Sequence, residues 1–213
     1  DVKSTFFWLV NKGKSKNSIE NADYNIDDEE DLIKLVNESN NVNGLHKSSF
    51  NMSIDQELRK GKLLNKYNRY HYLKFSPHID YKKISDSSLI FDSSLGFAEM
   101  CGFRNSYGKS FQPFDIRNQK PYDFVETPLH LMDRTFHKYM NVEVDNIGDT
   151  IIKIYEQNPK NCDISLLWHN NNFTDFKYSS FMNEYKKVAG FIYESKIKCV
   201  SPKELVKLNV IDW

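Results

Sequence analysis

Net charge is the first thing this chain lacks. Its 213 residues carry 29 basic against 29 acidic side chains. That balance provides no field to steer nucleic acid or an anionic membrane surface, so no nucleic-acid partner is expected. Neutral partners such as sugars stay open. Cysteine is scarce as well. Cys101, Cys162 and Cys199 stand far apart with no CxxC pair, which argues against a zinc ribbon or a disulfide framework and predicts three reduced, mostly buried thiols. No apolar run approaches the roughly 20 residues that cross a bilayer, so no membrane span is expected. The stretch from Asp1 to Val10 lacks the basic segment, apolar run and small-residue cleavage site of a signal peptide. No internal repeat and no linker divides the sequence, and residues 1–213 are expected to form a single domain.

What is present is apolar material in short, regular pieces. Hydrophobic residues make up 39% and aromatics 14%, enough for a core. Thr5–Val10 (TFFWLV) predicts a buried strand. Asp27 or Asp28 predicts the start of a helix with Leu32, Ile33, Leu35 and Val36 on one face. Val42–His46 is a second strand. Ser53 and Gln56 form a capping box ahead of a helix running to about Lys66. Strands follow at Arg69–Phe75 and Leu89–Asp92, with a short helix after Pro77. The segment from Gly96 to Lys120 is long for a connection, and its aromatics predict ordered packing. Then come a strand over Tyr122–Met132, a helix through Ile147, Ile151, Ile154 and Tyr155, and a strand over Asp163–Trp168. A helix through Phe181, Tyr185, Val188, Ala189 and Ile192 precedes a strand at Ile197–Val200. Ser201-Pro202-Lys203-Glu204 opens a last helix. Alternation of this kind predicts an α/β fold with a mostly parallel sheet or barrel, whose functional groups gather at the C-terminal ends of strands.

Four polar residues fall at or near such ends. His169 closes SLLWH, where an imidazole is placed for proton transfer near neutral pH or for a hydrogen bond to backbone. His46 closes VNGLH, in which Gly44 allows a neighbouring backbone to approach; it is a metal ligand or a structural side chain. Arg69, in RYHYLKF, clamps a carboxylate or stacks on a ring. Asp92, in FDSSLGF, orients an imidazole or anchors a turn through its own backbone. Together they predict a polar pocket.

The ordered segments STFFWLV, NGLHKSSF, RYHYLKF, FDSSLGF, GFRNSYGKSFQPFD, ETPLHLMD and SLLWHN resemble those of bacterial polysaccharide deacetylase-like proteins. These belong to the carbohydrate esterase family 4 superfamily, and the nearest likeness is to the branch found with surface-polysaccharide loci. The likeness covers nearly the whole chain. It implies a deformed (β/α) barrel and a metal-dependent hydrolase that removes acetyl groups from N-acetylated sugars, in the cytoplasm or cell envelope of a bacterium. Position by position it implies His169 as general acid, Arg69 as the residue that holds the base, and Asp92 as the partner that tunes the acid. His46 is the implied metal ligand, and Leu167 and Trp168 shape the acetyl pocket. The cofactor implied is a divalent metal, zinc.

The chain departs from that pattern. The second metal histidine, four residues after His46, is Phe50, and His71 is taken as a replacement imidazole. The strand that carries the base and metal-binding aspartates is expected to precede TFFWLV by a helix, and Asp1 is too close to that strand to stand in. The resemblance therefore implies a domain incomplete at its N-terminus, weak in metal binding and inactive on its own. The alternative is a catalytically degenerate glycan-binding module on the same fold.

Overall fold

A computed structural model describes residues 2–16, 19–158, 161–174 and 180–209; Asp1 lies outside them. Contacts divide the chain into two compact units. One comprises Lys3–Ser94, Ser110–Thr127 and Val200–Trp213; the other comprises Asp1–Val2, Leu95–Lys109 and Pro128–Cys199.

The first unit is built on a parallel sheet. Its elements begin with β1 (Thr5–Trp8), α1 (Glu30–Glu38), β2 (Val42–Lys47), α2 (Ile54–Lys60), β3 (Tyr67–Tyr70), α3 (Pro77–Ser85) and β4 (Phe91–Asp92). A small antiparallel pair, β5 (Phe114–Asp115) and β6 (Lys120–Pro121), precedes β7 (Val125–Glu126). The five-stranded sheet runs in the order β1-β2-β3-β4-β7, every neighbouring pair parallel. Gly44 is required in β2 because strand and side chain crowd it. A Cβ there would lie 2.9 Å from the Phe7 ring and 3.1 Å from the Tyr67 carbonyl, inside van der Waals contact.

Local chemistry explains most of the boundaries. The capping box at α2 forms as its sequence requires: the Ser53 hydroxyl accepts from the Gln56 N–H, and the Gln56 side chain accepts from the Ser53 N–H. This helix stops at Gly61, short of Lys66, because Lys62 turns into left-handed backbone at φ 50. The third strand lies earlier than Arg69–Phe75. It ends at Tyr70, where His71–Leu73 forms a tight turn with Tyr72 and Leu73 at positive φ. The face expected of α1 is only half realised: Ile33 and Val36 are partly buried, while Leu32 and Leu35 are exposed.

The second unit holds β8 (Leu131–Met132), α4 (Ile147–Gln157), β9 (Leu166–Leu167) and α5 (Ser180–Glu194). The continuous strand expected over Tyr122–Met132 is two short ones, because Pro128 has no N–H to donate to a ladder. β8 pairs with β9 in parallel. Leu131, Phe136, Ile147, Ile151, Phe181 and Val188 form the buried core of this unit. The Glu184 carboxylate on α5 accepts from the Gly148 N–H at 2.7 Å, satisfying an open donor in the first turn of α4.

The chain then returns to the first unit. Ile197–Val200, expected as a strand, is irregular. α6 (Pro202–Asn209) starts with a second reciprocal cap between Ser201 and Glu204, and its Leu205 packs on Tyr67 and Phe91. The three cysteines are free and half-buried rather than enclosed. No described helix is long and apolar enough to cross a membrane.

Candidate functional site

In the first unit the strand ends bring four of the expected residues together. The register sets His46 beside Arg69, Asn68 beside Asp92 and Asp92 beside Glu126. The His46 Nδ1 lies 2.8 Å from the Arg69 carbonyl. A carbonyl only accepts, so Nδ1 carries the hydrogen. The His71 ring stands edge-on to His46, with centroids 5.0 Å apart.

Arg69 is buried, and its Nε and guanidinium nitrogen donate to the Ser93 carbonyl and hydroxyl at 2.8 and 2.7 Å. Its guanidinium also lies 4.8 Å from the Phe7 ring centroid, so stacking and polar anchoring occur at once. Burial lowers its pKa to about 10, against the opposing pull of Asp92 and Glu126. Asp92 is fully buried. It accepts from Asn68 Nδ2 at 2.6 Å and from the Ser94 N–H at 2.9 Å; the second contact is an Asx turn. Burial lifts its pKa to about 6, against hydrogen bonds from Ser94, Asn68 and Glu126. Glu126 is fully buried as well. Asp92 and Glu126 are neighbours in the strand register, and both act on the buried Arg69 cation.

A zinc site needs three or four protein ligands. His46 and His71 supply two imidazoles. No group of three or more His, Cys, Asp or Glu side chains able to hold a metal occurs among the described residues. Among the described residues these two imidazoles fall short of the three or four ligands of a zinc site.

The second unit carries a different arrangement. Asp133 follows β8, His169 follows β9 by one residue, and Asp133 is fully buried. The His169 Nδ1–H donates to Asp133 Oδ1 at 2.6 Å, and the His169 backbone N–H donates to Oδ2 at 2.8 Å. Asn172 Nδ2 and the Arg134 N–H complete the carboxylate at 2.5 and 2.7 Å. Each of these partners donates to Asp133, and the ring contact fixes the imidazole in its Nδ1–H tautomer. The His169 side chain remains 34% exposed. A π-helical turn at Thr135–Tyr139 begins directly after this carboxylate, a distortion frequent at functional sites.

The carboxylate that His169 meets within its own unit is Asp133. Asp92 is held by Asn68, Ser94 and Glu126 on its own sheet. Trp168 turns into the apolar core, edge-on to Phe181 and Tyr185 at 6.1 and 5.6 Å, and Leu167 lies partly buried in β9. Sequence reasoning missed Asp133 and Glu126. Asp133 had a signal, an acidic residue closing the apolar LHLM; Glu126 had none, since only strand pairing sets it beside Asp92.

The class these observations define is a mixed α/β protein with a parallel sheet and a buried carboxylate–imidazole pair. No protein-family model and no curated protein sequence matches the chain. Among solved structures it is similar to a Bordetella bronchiseptica protein provisionally assigned as a polysaccharide deacetylase of O-antigen biosynthesis. The two are 13% identical with a TM-score of 0.42, over 98% of this chain and 90% of that one. Likeness at that level carries no argument about chemistry, which rests on the side chains above.

Proposed function

We propose that this chain is a hydrolase domain of the polysaccharide deacetylase type, directed at an N-acetylated bacterial surface or exopolysaccharide sugar. The Asp133–His169 pair carries the proposal. Amide hydrolysis stalls at an amine anion unless a proton reaches the leaving nitrogen. An imidazolium held by a buried carboxylate at Nδ1 carries a proton on its other nitrogen to deliver, and returns to the Nδ1–H tautomer once that proton has gone. The remaining roles, Arg69 as the residue that holds the base and Leu167 beside the acetyl group, and the deformed barrel itself, come to the proposal from the sequence resemblance alone. Metal dependence belongs to the same proposal and rests on His46 and His71 alone.

The shortage of metal ligands among the described residues favours a second reading, a glycan-binding module without turnover. One experiment separates the two. The purified chain is mixed with the N-acetylglucosamine tetrasaccharide, with and without added zinc; binding is followed by calorimetry and acetate release by an enzymatic assay. Acetate release that disappears in His169→Ala supports the hydrolase. Binding without acetate release supports the module. Absence of binding rejects both.

A further inference from the structure

Tyr72 is an aromatic held out to solvent by backbone that resists the position. It has φ 56 and ψ 20, and Leu73 follows at φ 48. Side chains with a Cβ avoid this left-handed region because the Cβ crowds the carbonyl oxygen, and two such residues in succession compound the cost. Burial does not offset it, since Tyr72 is 65% exposed. Among the described residues its ring pairs with His71, which stacks on it, centroids 4.0 Å apart and planes inclined by 30°. A ring has two faces, and His71 covers one. Strain kept without a packing reward is typical of ligand clamps.

Beside the ring lies an open groove of about 600 Å³ lined by Ile19, Glu20, Tyr72 and Lys74. Its charged lining is one carboxylate and one ammonium, whose fields oppose each other. Such a rim has no preference for an anion or a cation, yet it offers an acceptor and several donors. Glu20 is steadied by Lys14 at 3.0 Å. A flat apolar face edged by acceptor and donors complements a neutral pyranose, whose C–H face is apolar and whose rim carries hydroxyls.

We propose that Tyr72 is the stacking platform for a pyranose ring of the bound glycan, with Glu20 and Lys74 bonding its hydroxyls. The platform rests on the carbohydrate assignment above and adds where the sugar is gripped. Affinity for the N-acetylglucosamine tetrasaccharide, measured by calorimetry on the whole chain, tests it. Tyr72→Ala is expected to weaken binding by roughly tenfold and Tyr72→Phe, which keeps the ring, to stay within about twofold. Tyr72→Gly is expected to bind as weakly as the alanine variant while its thermal midpoint holds or rises, because glycine accepts positive φ. Equal affinity of wild type and Tyr72→Ala defeats the platform and leaves the carbohydrate assignment standing. A fall of several degrees in the midpoint of Tyr72→Gly assigns Tyr72 to the fold and also defeats it. A wild-type chain that binds no tetrasaccharide defeats assignment and platform together.

Discussion

Asp92 and Asp133 are the same residue type, both fully buried, each at the C-terminal end of a short parallel strand, and their neighbours put them to different use. Asp133 faces donors only: the His169 ring, two backbone N–H groups and the Asn172 amide. It orients an imidazole. Asp92 faces a mixture, with Asn68 and Ser94 donating and the Glu126 carboxyl beside it in the register. It anchors a turn and balances Arg69. The contrast shows that burial of a carboxylate says little about its role until the hydrogen-bond partners are counted.

Isosteric substitution is the sharpest way to break that contrast. Asp133→Asn forces an amide N–H₂ against a ring of donors, and is expected to cost about 3 kcal/mol in urea unfolding. The same change should abolish the fixed Nδ1–H tautomer of His169, read from its ¹⁵N shifts. A cost below about 1 kcal/mol with the tautomer retained would show that Asp133 is not the orienting group.

The next largest effect is one of pH, and it belongs to the second unit. His130 is buried, its Nδ1 accepts from the Ser165 N–H at 3.1 Å, and burial lowers its pKa from 6.5 to about 4. The unfolded chain therefore takes up the proton first as pH falls. Stability should drop between pH 6.5 and about 4, by about 3 kcal/mol in all, and flatten below. His130→Gln, which keeps an acceptor, should lose most of this dependence in urea titrations. An unchanged pH profile would count against it.

Asp92→Asn should be the mildest of the three. Its new N–H₂ finds an acceptor in Glu126, so the cost at pH 5 is expected to be about 1 kcal/mol or less. The sign of its pH dependence is opposite to that of His130. Because burial raises the Asp92 pKa from 3.8 to about 6, the folded wild type holds the proton longer, and its stability declines as pH rises through that window. The gap between wild type and Asp92→Asn should narrow over the same interval. A gap that widens would mean that Asp92 is stabilised as a carboxylate.

Legibility followed range. The caps at Ser53 and Ser201, the strand over Thr5–Trp8, the helix after Pro77 and the helices over Ile147–Gln157 and Ser180–Glu194 are written in neighbouring residues, and all were readable. His46, Arg69, Asp92 and His169 were marked by their place at or near strand ends, and the structure sets the first three side by side. Strand boundaries shifted where a single residue overruled the pattern: Pro128 split one strand, and Tyr72 ended another.

Residue order by itself determined the alternation of strand and helix, the parallel sense of the sheet, the capping of two helices and the presence of polar groups at strand ends. These follow from periodicity and from hydrogen bonds that close within a few residues. Only the tertiary structure decided which carboxylate serves which partner. Asp133 reaches His169 across 36 positions and Asp92 reaches Asn68 across 24, and contacts that distant are set by sheet register and packing, which no local pattern encodes.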